Sequence, residues 1–272
     1  MLSVTSHNVD DYESLLVALQ SVLGVIVSDV QRSHLIERIE PLLSNYKFDS
    51  LSLLVEKLQA RDVDVCANVL DVISQRQPDW SLNDEVKNIL HKYIFTQLQD
   101  KAKIWIVGCG QGQIAYSVVM EIAKYGHKSG KDKKFRLIAT DVLADDINHA
   151  EKAIYDMQQL STLRDEDKSR FFTVDEKTGS GQIKDKFCQQ ITFRQCDLIE
   201  NFQSLGQVDL IICPEVLVYF SNGVKAGIFK QFADLLKPGG ILLTGSNQAV
   251  TPFTDSFEFV DHPAGVFYRQ KV

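Results

Sequence analysis

The chain has 272 residues, is 44% apolar and 24% charged, and carries a net charge of −7. That length can bury a substantial core as one large domain or two modest ones, and no apolar run reaches the ~18 residues of a membrane span. Five cysteines at 66, 109, 188, 196 and 213, with no C-x-x-C pair and six scattered histidines, give neither a disulfide framework nor a metal site and point to a reducing cytoplasm.

Residues 1–100 hold 8 basic and 15 acidic side chains, whereas the rest of the chain is balanced at 21 of each. Phosphate backbones need a basic face, so this acidic third is no nucleic-acid surface. It reads instead as helix after helix. The opening MLSVTSHNVDDYE lacks the basic flank of a signal peptide. Leu15, Leu16, Leu19, Val22 and Leu23 repeat at helical spacing up to a stop at Gly24. Asp29 can cap a second helix, in which Pro41 is expected to form an end or a kink. Asp49 or Ser50 can cap a third, and Val65, Cys66, Val69, Leu70 and Ile73 form the stripe of a fourth. Gln75–Ser81 is a break, and a last helix covers about 83–98. A helical N-terminal domain over 1–81 is expected to precede a second domain over 82–272.

After Lys103 the rhythm changes. Ile104–Val107 is a buried-type strand and Ile114–Tyr125 has helical spacing. FRLIATD (135–141) is a strand ending in an acid, followed by a helix over 145–155. Strands are expected at 191–198, 208–215 and 241–246, with a helix over 224–236 closed by KPGG and a terminal hairpin. KTGSGQ (177–182) reads as a tight turn between short strands, a small appendage at about 171–192. Alternating strands and helices imply an α/β fold with a mostly parallel sheet, extended at one edge by the hairpin.

Ligands of such sheets sit beyond the carboxyl ends of the strands. There the sequence places IWIVGCGQGQ (104–113), with Gly108, Gly110 and Gly112. A dinucleotide fingerprint needs its third glycine at 113, which is Gln113, and no G-K-[ST] follows to make a P-loop. Asp141 ends the next strand, where an acid can accept from both hydroxyls of an adenosine ribose, or cap the following helix. Asp197 and Leu198 end the third, where Asp197 can receive an adenine amino group or act as a turn residue. Three sites at successive strand ends converge on one crevice.

Taken together, GCGQG, ATD, CDL, CPEVLVYF and LLKPGGILLTGS resemble the class I S-adenosylmethionine-dependent methyltransferases. More narrowly they resemble the chemotaxis-receptor (CheR-type) methyltransferases. AYS at 115–117 is similar to a P-Y-S segment and VLVYF (216–220) to a V-x-I-Y-F segment of that family. The resemblance implies a helical domain, a Rossmann-like catalytic domain with a short β insert, and S-adenosylmethionine as cofactor. It places Gly108, Gly110, Gly112, Gln113, Asp141, Asp197 and Leu198 around that cofactor. It implies methyl transfer to glutamate side chains of a chemoreceptor or other signalling protein, with Tyr219 and Glu215 beside the acceptor and no membrane insertion. A carboxylate acceptor needs no general base, so catalysis can come from positioning.

The chain departs from the family pattern where the acceptor is handled. The R-N pair is replaced by Pro214–Glu215, and the family's N-x-T-x-F-F-R segment corresponds to about VISQRQPDW (72–80), which keeps Ser74 in a threonine-like place, has no F-F-R, and has Arg76 near but out of register. The second helix offers only Arg32 and Arg38. Three readings are open: a carboxylate methyltransferase, a methyltransferase with a neutral or basic acceptor, and an inactive cofactor-binding regulatory module.

Overall fold

The computed structural model describes residues 9–27, 29–74, 80, 82–131, 133–214, 216–245 and 249–271, without the side chains of Val9, residues 29–34, Ser74 and Tyr219. Contacts divide the chain into two units, one of residues 1–76 with 217–225, the other of residues 77–216 with 226–272.

The first unit is helical. It contains α1 (Val9–Leu23), α2 (Asp29–Tyr46), α3 (Leu51–Gln59) and α4 (Val63–Ser74). Ser50, not Asp49, caps α3 by accepting the Leu53 N–H at 3.3 Å. Pro41 neither ends nor interrupts α2, which runs on to Tyr46. A helical proline forfeits one bond, to the carbonyl four residues earlier; that residue is Glu37, on an exposed turn. Leu15, Leu19, Leu23, Leu35, Ile39, Leu54, Leu58 and Val69 fill the core. A 3₁₀ turn, Leu217–Tyr219, and the start of a later helix join this unit. There Phe220 bridges to Val25, and the Ser221 N–H donates to the Gly24 carbonyl. The break expected at 75–81 falls largely outside the described residues, as do Arg76 and the side chains of Asp29, Arg32 and Ser74.

The second unit opens with α5 (Asp84–Ile89), capped by Asn83, whose Oδ1 accepts the Val86 N–H at 2.7 Å. A π turn, Leu90–Ile94, follows, then a short α6 (Phe95–Gln97). The single helix expected over 83–98 thus contains one widened turn. The main sheet takes β1 (Lys103–Val107), crosses through α7 (Gln113–Ser129) to β2 (Arg136–Asp141), and enters α8 (Ala144–Lys152). Ala153 adopts φ 55° and donates its N–H to the His149 carbonyl. That left-handed residue ends α8 at Lys152, three residues before the expected boundary, and releases β3 (Ile154–Asp156). Then come α9 (Asp165–Phe171), β4 (Phe172–Asp175), β5 (Ser180–Ile183), α10 (Asp185–Cys188), β6 (Ile191–Gln195), β7 (Val208–Cys213), α11 (Asn222–Leu235), β8 (Leu236–Thr244), β9 (Phe257–His262) and β10 (Gly265–Gln270).

Seven strands lie in the order β6-β2-β1-β7-β8-β10-β9. The first five are parallel, and the terminal hairpin adds two antiparallel strands at the edge. Strands covered on both faces need continuous apolar runs, and Ile104–Val107 and Leu210–Cys213 are such runs, all essentially buried. Trp105 packs against Phe202 and Phe232 and donates its indole N–H to Thr140 Oγ1 at 3.0 Å. The small sheet β3-β5-β4 spans 154–183, so it begins well before the expected 171–192. Its first strand is three residues long and directly follows a helix, which hides it in the helical pattern. No described helix is long and apolar enough to cross a membrane.

Candidate functional site

The chain order reverses direction across the sheet at β1, between β2 and β7. At such a switch point the loops leaving the carboxyl ends diverge and leave a crevice. The loop leaving β1 is the glycine turn. Gly108, Gly110 and Gly112 have φ of 65°, 51° and 98°. The Cys109 N–H donates to the Thr140 carbonyl at 2.9 Å, so the turn stays joined to β2 for one more residue.

The glycines are bare for different reasons. A Cβ at Gly110 would meet nothing within 4 Å, so open space lies against the backbone there. A Cβ at Gly112 would lie 2.8 Å from Ala150 Cβ and 2.9 Å from Tyr155 Oη. Gly112 is therefore demanded by packing within the protein, and Gly110 is the position where a ligand can approach the main chain.

Asp141 is 2% exposed and ties the two strand ends together. Its Oδ2 accepts the Gly110 N–H at 2.8 Å; its Oδ1 accepts Val142 N–H at 2.8 Å and Leu143 N–H at 3.3 Å. A carboxylate offers about four lone-pair sites. With three backbone N–H groups on it, Asp141 can accept both hydroxyls of a ribose only by sharing or releasing one of those bonds. The bonds to Val142 and Leu143 also order the backbone just ahead of α8, so the helix-start role open to this aspartate coexists with its hold on the glycine turn.

Asp197 follows the end of β6. The Cys196 N–H donates to the Asp141 carbonyl at 2.8 Å, which sets Asp197 one residue beyond that junction. It is half-buried and accepts the Ile199 N–H at 3.0 Å. Burial raises its pKa above the ordinary aspartate value; the Ile199 bond opposes this, and Glu200 adds to it. A carboxyl whose folded pKa is raised loses stability as pH climbs from the unfolded value, about 3.9, through the folded one. Asp197→Asn is accordingly expected to raise the melting temperature at pH 7, with the gain shrinking toward pH 4. Thermal unfolding at the two pH values checks this, and an equal or lower melting temperature at pH 7 counts against it. Leu198 is buried next to it.

Gln113 opens α7 at 2% exposure, and its Nε2 has no hydrogen-bond partner. Burying an amide N–H unpartnered costs about 1–3 kcal/mol, so this donor is poised for an acceptor. The hydroxyl of Tyr116 donates to the Ala150 carbonyl at 2.9 Å, joining α7 to α8, and Ser117 Oγ reaches the Gln113 carbonyl at 2.9 Å and the Trp80 carbonyl. The AYS segment thus anchors the turn from behind.

Sequence reasoning missed the buttress. Tyr155 of β3 donates to the Gln111 carbonyl at 2.7 Å, and Gln159 Nε2 donates to Gln111 Oε1 at 3.2 Å. The Trp80 ring stands edge-on to Tyr155 and Phe172, at centroid distances of 4.7 and 5.2 Å. The small sheet is therefore a support of the glycine turn rather than an appendage. The buried aromatic character of WSLN and AIYD was the available signal, but nothing in either stretch names the turn as its partner. Glu215 lies outside the described residues, as does the side chain of Tyr219; the Tyr219 backbone ends the 3₁₀ turn of the helical unit. Among the described residues, the structure brings together the glycines, Gln113, Asp141, Asp197 and Leu198.

An unpartnered buried amide and open space against a bare backbone suit a polar nucleoside-bearing ligand. Comparison with known proteins specifies it. Residues 79–266 match the family model described as "CheR methyltransferase, SAM binding domain". The chain is 30% identical over 274 residues to chemotaxis protein methyltransferase 1 of Vibrio cholerae, covering 96% of this chain and 97% of that protein. It is 29% identical to a chemotaxis protein methyltransferase of Vibrio anguillarum over 93% and 94% of the two chains. It is 26% identical to chemotaxis protein methyltransferase 1 of Pseudomonas aeruginosa over 96% and 98%. The protein is an S-adenosylmethionine-dependent methyltransferase, and the chain belongs to the CheR methyltransferase family.

Proposed function

We propose that the chain methylates a protein carboxylate in a chemotaxis signalling partner, a chemoreceptor being the foremost candidate. The observation that carries this reading is the full-length similarity to proteins named chemotaxis protein methyltransferase. When bound, S-adenosylmethionine supplies an electrophilic methyl group on a sulfonium. The chain's own part is to hold and aim. Gly110 offers bare backbone, and Gln113 Nε2 offers its unpartnered donor to a carboxylate such as that of the methionine moiety. Asp141 fixes the turn and meets the ribose, while Asp197 and Leu198 flank the adenine. The acceptor, a carboxylate, arrives already charged, so Tyr219 orients it rather than removing a proton. In this reading residues 1–81 form the acceptor-facing helical domain and 82–272 the catalytic one.

Tritiated methyl transfer to a receptor cytoplasmic fragment tests the reading. The wild type is expected to label glutamate. Tyr219→Phe is expected to slow labelling roughly 2- to 10-fold, the worth of one neutral hydrogen bond at ~0.5–1.5 kcal/mol. A second reading has a specific observation behind it. Glu215 stands where the family pattern has an amide, beside Pro214 in place of an arginine, and the first hundred residues are acidic. Like charges repel over roughly a Debye length, about 8–10 Å. Labelling of neutral or basic acceptors with none of glutamate selects that reading, and calorimetric cofactor binding with no transfer to any acceptor selects a regulatory module.

A further inference from the structure

The opposite end of the sheet carries a feature that the methyltransferase reading does not use. A groove of about 700 Å³ lies where β1, β2 and β6 begin, beside the C-terminal half of α7. Lys103 and Arg136 are register partners there, at the first residues of β1 and β2, and Gln190 precedes β6. The glycine turn leaves the other end of the same strands, after Val107.

The groove is lined by Lys103, His127, Lys133, Lys134 and Arg136, and by no acidic side chain among its described residues. The segment KDKKFR (131–136) that supplies most of this charge has four cations and one acid, in a protein of net charge −7. Lys134, Arg136 and His127 are exposed. Lys134 and Arg136 make no ion pair among the described residues. Lys133 Nζ donates to the carbonyls of Phe95, Thr96 and Leu98 at 2.9, 3.1 and 2.7 Å, and Lys103 Nζ to that of Leu205. Both ammonium groups are thus held by neutral carbonyls rather than by carboxylates. Two carboxylates nearby are engaged with backbone. Asp100 accepts the Lys134 N–H at 2.8 Å, and Asp209 accepts the Lys103 N–H at 2.8 Å while pairing with Lys237. Burial lowers the pKa of Lys103 first, and then the charges of Arg194, Arg136 and Lys237 lower it further, as crowding of cations does.

Small-molecule sites run to about 300–1,000 Å³ and combine apolar walls with a few convergent polar groups. This groove has the volume, apolar walls from Phe135 and Leu137, the amide of Gln190, and a rim suited to phosphate oxygens. We propose that it is a second ligand site, taking a small phosphorylated anion of nucleotide size at the end of the sheet remote from the methyl donor.

Calorimetric titration of the full chain with ATP, GTP and pyrophosphate at low salt tests this, with S-adenosylhomocysteine saturating so that the donor site is blocked. At least one probe is expected to bind, with affinity falling as salt rises. Lys134→Glu/Arg136→Glu is expected to weaken that binding at least about tenfold while leaving S-adenosylhomocysteine affinity unchanged. Lys134→Gln/Arg136→Gln serves should the charge reversal lower thermal stability. Three results overturn the proposal: no probe binding up to millimolar concentration, equal binding by the variants, or a polyglutamate peptide binding more tightly than every phosphorylated probe.

Discussion

Asp141→Ala is expected to abolish measurable S-adenosylhomocysteine binding and to lower stability by about 3–5 kcal/mol. The side chain accepts the N–H groups of Gly110, Val142 and Leu143 in an almost fully buried position. Truncation leaves these donors short of a partner, at about 1–3 kcal/mol for each that water does not reach. Folded domains retain only ~5–15 kcal/mol in total, so part of this loss will appear as poor expression. Asp141→Asn separates the two effects. An amide oxygen can keep the Val142 and Leu143 bonds, but its NH₂ faces the Gly110 N–H, donor against donor. The fold should survive with a smaller loss while the glycine turn opens. Denaturant unfolding and calorimetry on both variants provide the test. An Asn variant that binds S-adenosylhomocysteine like the wild type would show that the Gly110–Asp141 bond does not shape the donor site.

Gly112→Ala is expected to cost about 2–5 kcal/mol, and Gly110→Ala only about 1 kcal/mol. Both residues have positive φ, which costs an L-residue roughly 1–2 kcal/mol in the left-handed region and more at the 98° of Gly112. Only at Gly112 does a methyl group also collide, with Ala150 Cβ and the Tyr155 hydroxyl, and overpacking adds about 1–3 kcal/mol. Urea midpoints rank the pair. If Gly110→Ala proves the more damaging, the division of the turn into a packed glycine and an open one is wrong. A Gly110 methyl should instead show itself in weaker cofactor affinity, since it fills the space against the bare backbone.

Much of this was legible in the sequence because the physics involved is local. Ile104–Val107 could only be a strand buried on both faces, and the three glycines after it marked the turn. ATD and CDL marked the ends of neighbouring strands, and the register of β2 with β6 sets them side by side. What stayed hidden depends on partners distant in the chain or on an unusual backbone. Ala153 in a left-handed conformation cuts α8 short, although nothing about alanine announces it. The π turn at Leu90–Ile94 shares its apolar spacing with an ordinary helix, yet it carries His91, whose Nε2 lies 2.7 Å from Glu121 Oε2. Glu121 also meets Lys124, which meets Asp167, so a run of polar contacts from His91 to Asp167 joins three separate segments. The basic groove draws on residues 103, 127 and 133–136, which converge only when two parallel strands start side by side.

Because Tyr155 and Gln159 grip Gln111 from outside the seven-stranded sheet, the shape of the glycine turn is set jointly by the main sheet and the insert. The same insert sinks Tyr155, Leu160, Phe171, Phe172 and Ile183 into the core that holds Ile104, Ile106 and Ala139, so residues 154–183 pack under the parallel strands as well as bracing the first loop. Exchanging residues 154–183 for a short linker is therefore expected to lower stability and loosen the glycine turn together, so the insert cannot be trimmed as ornament.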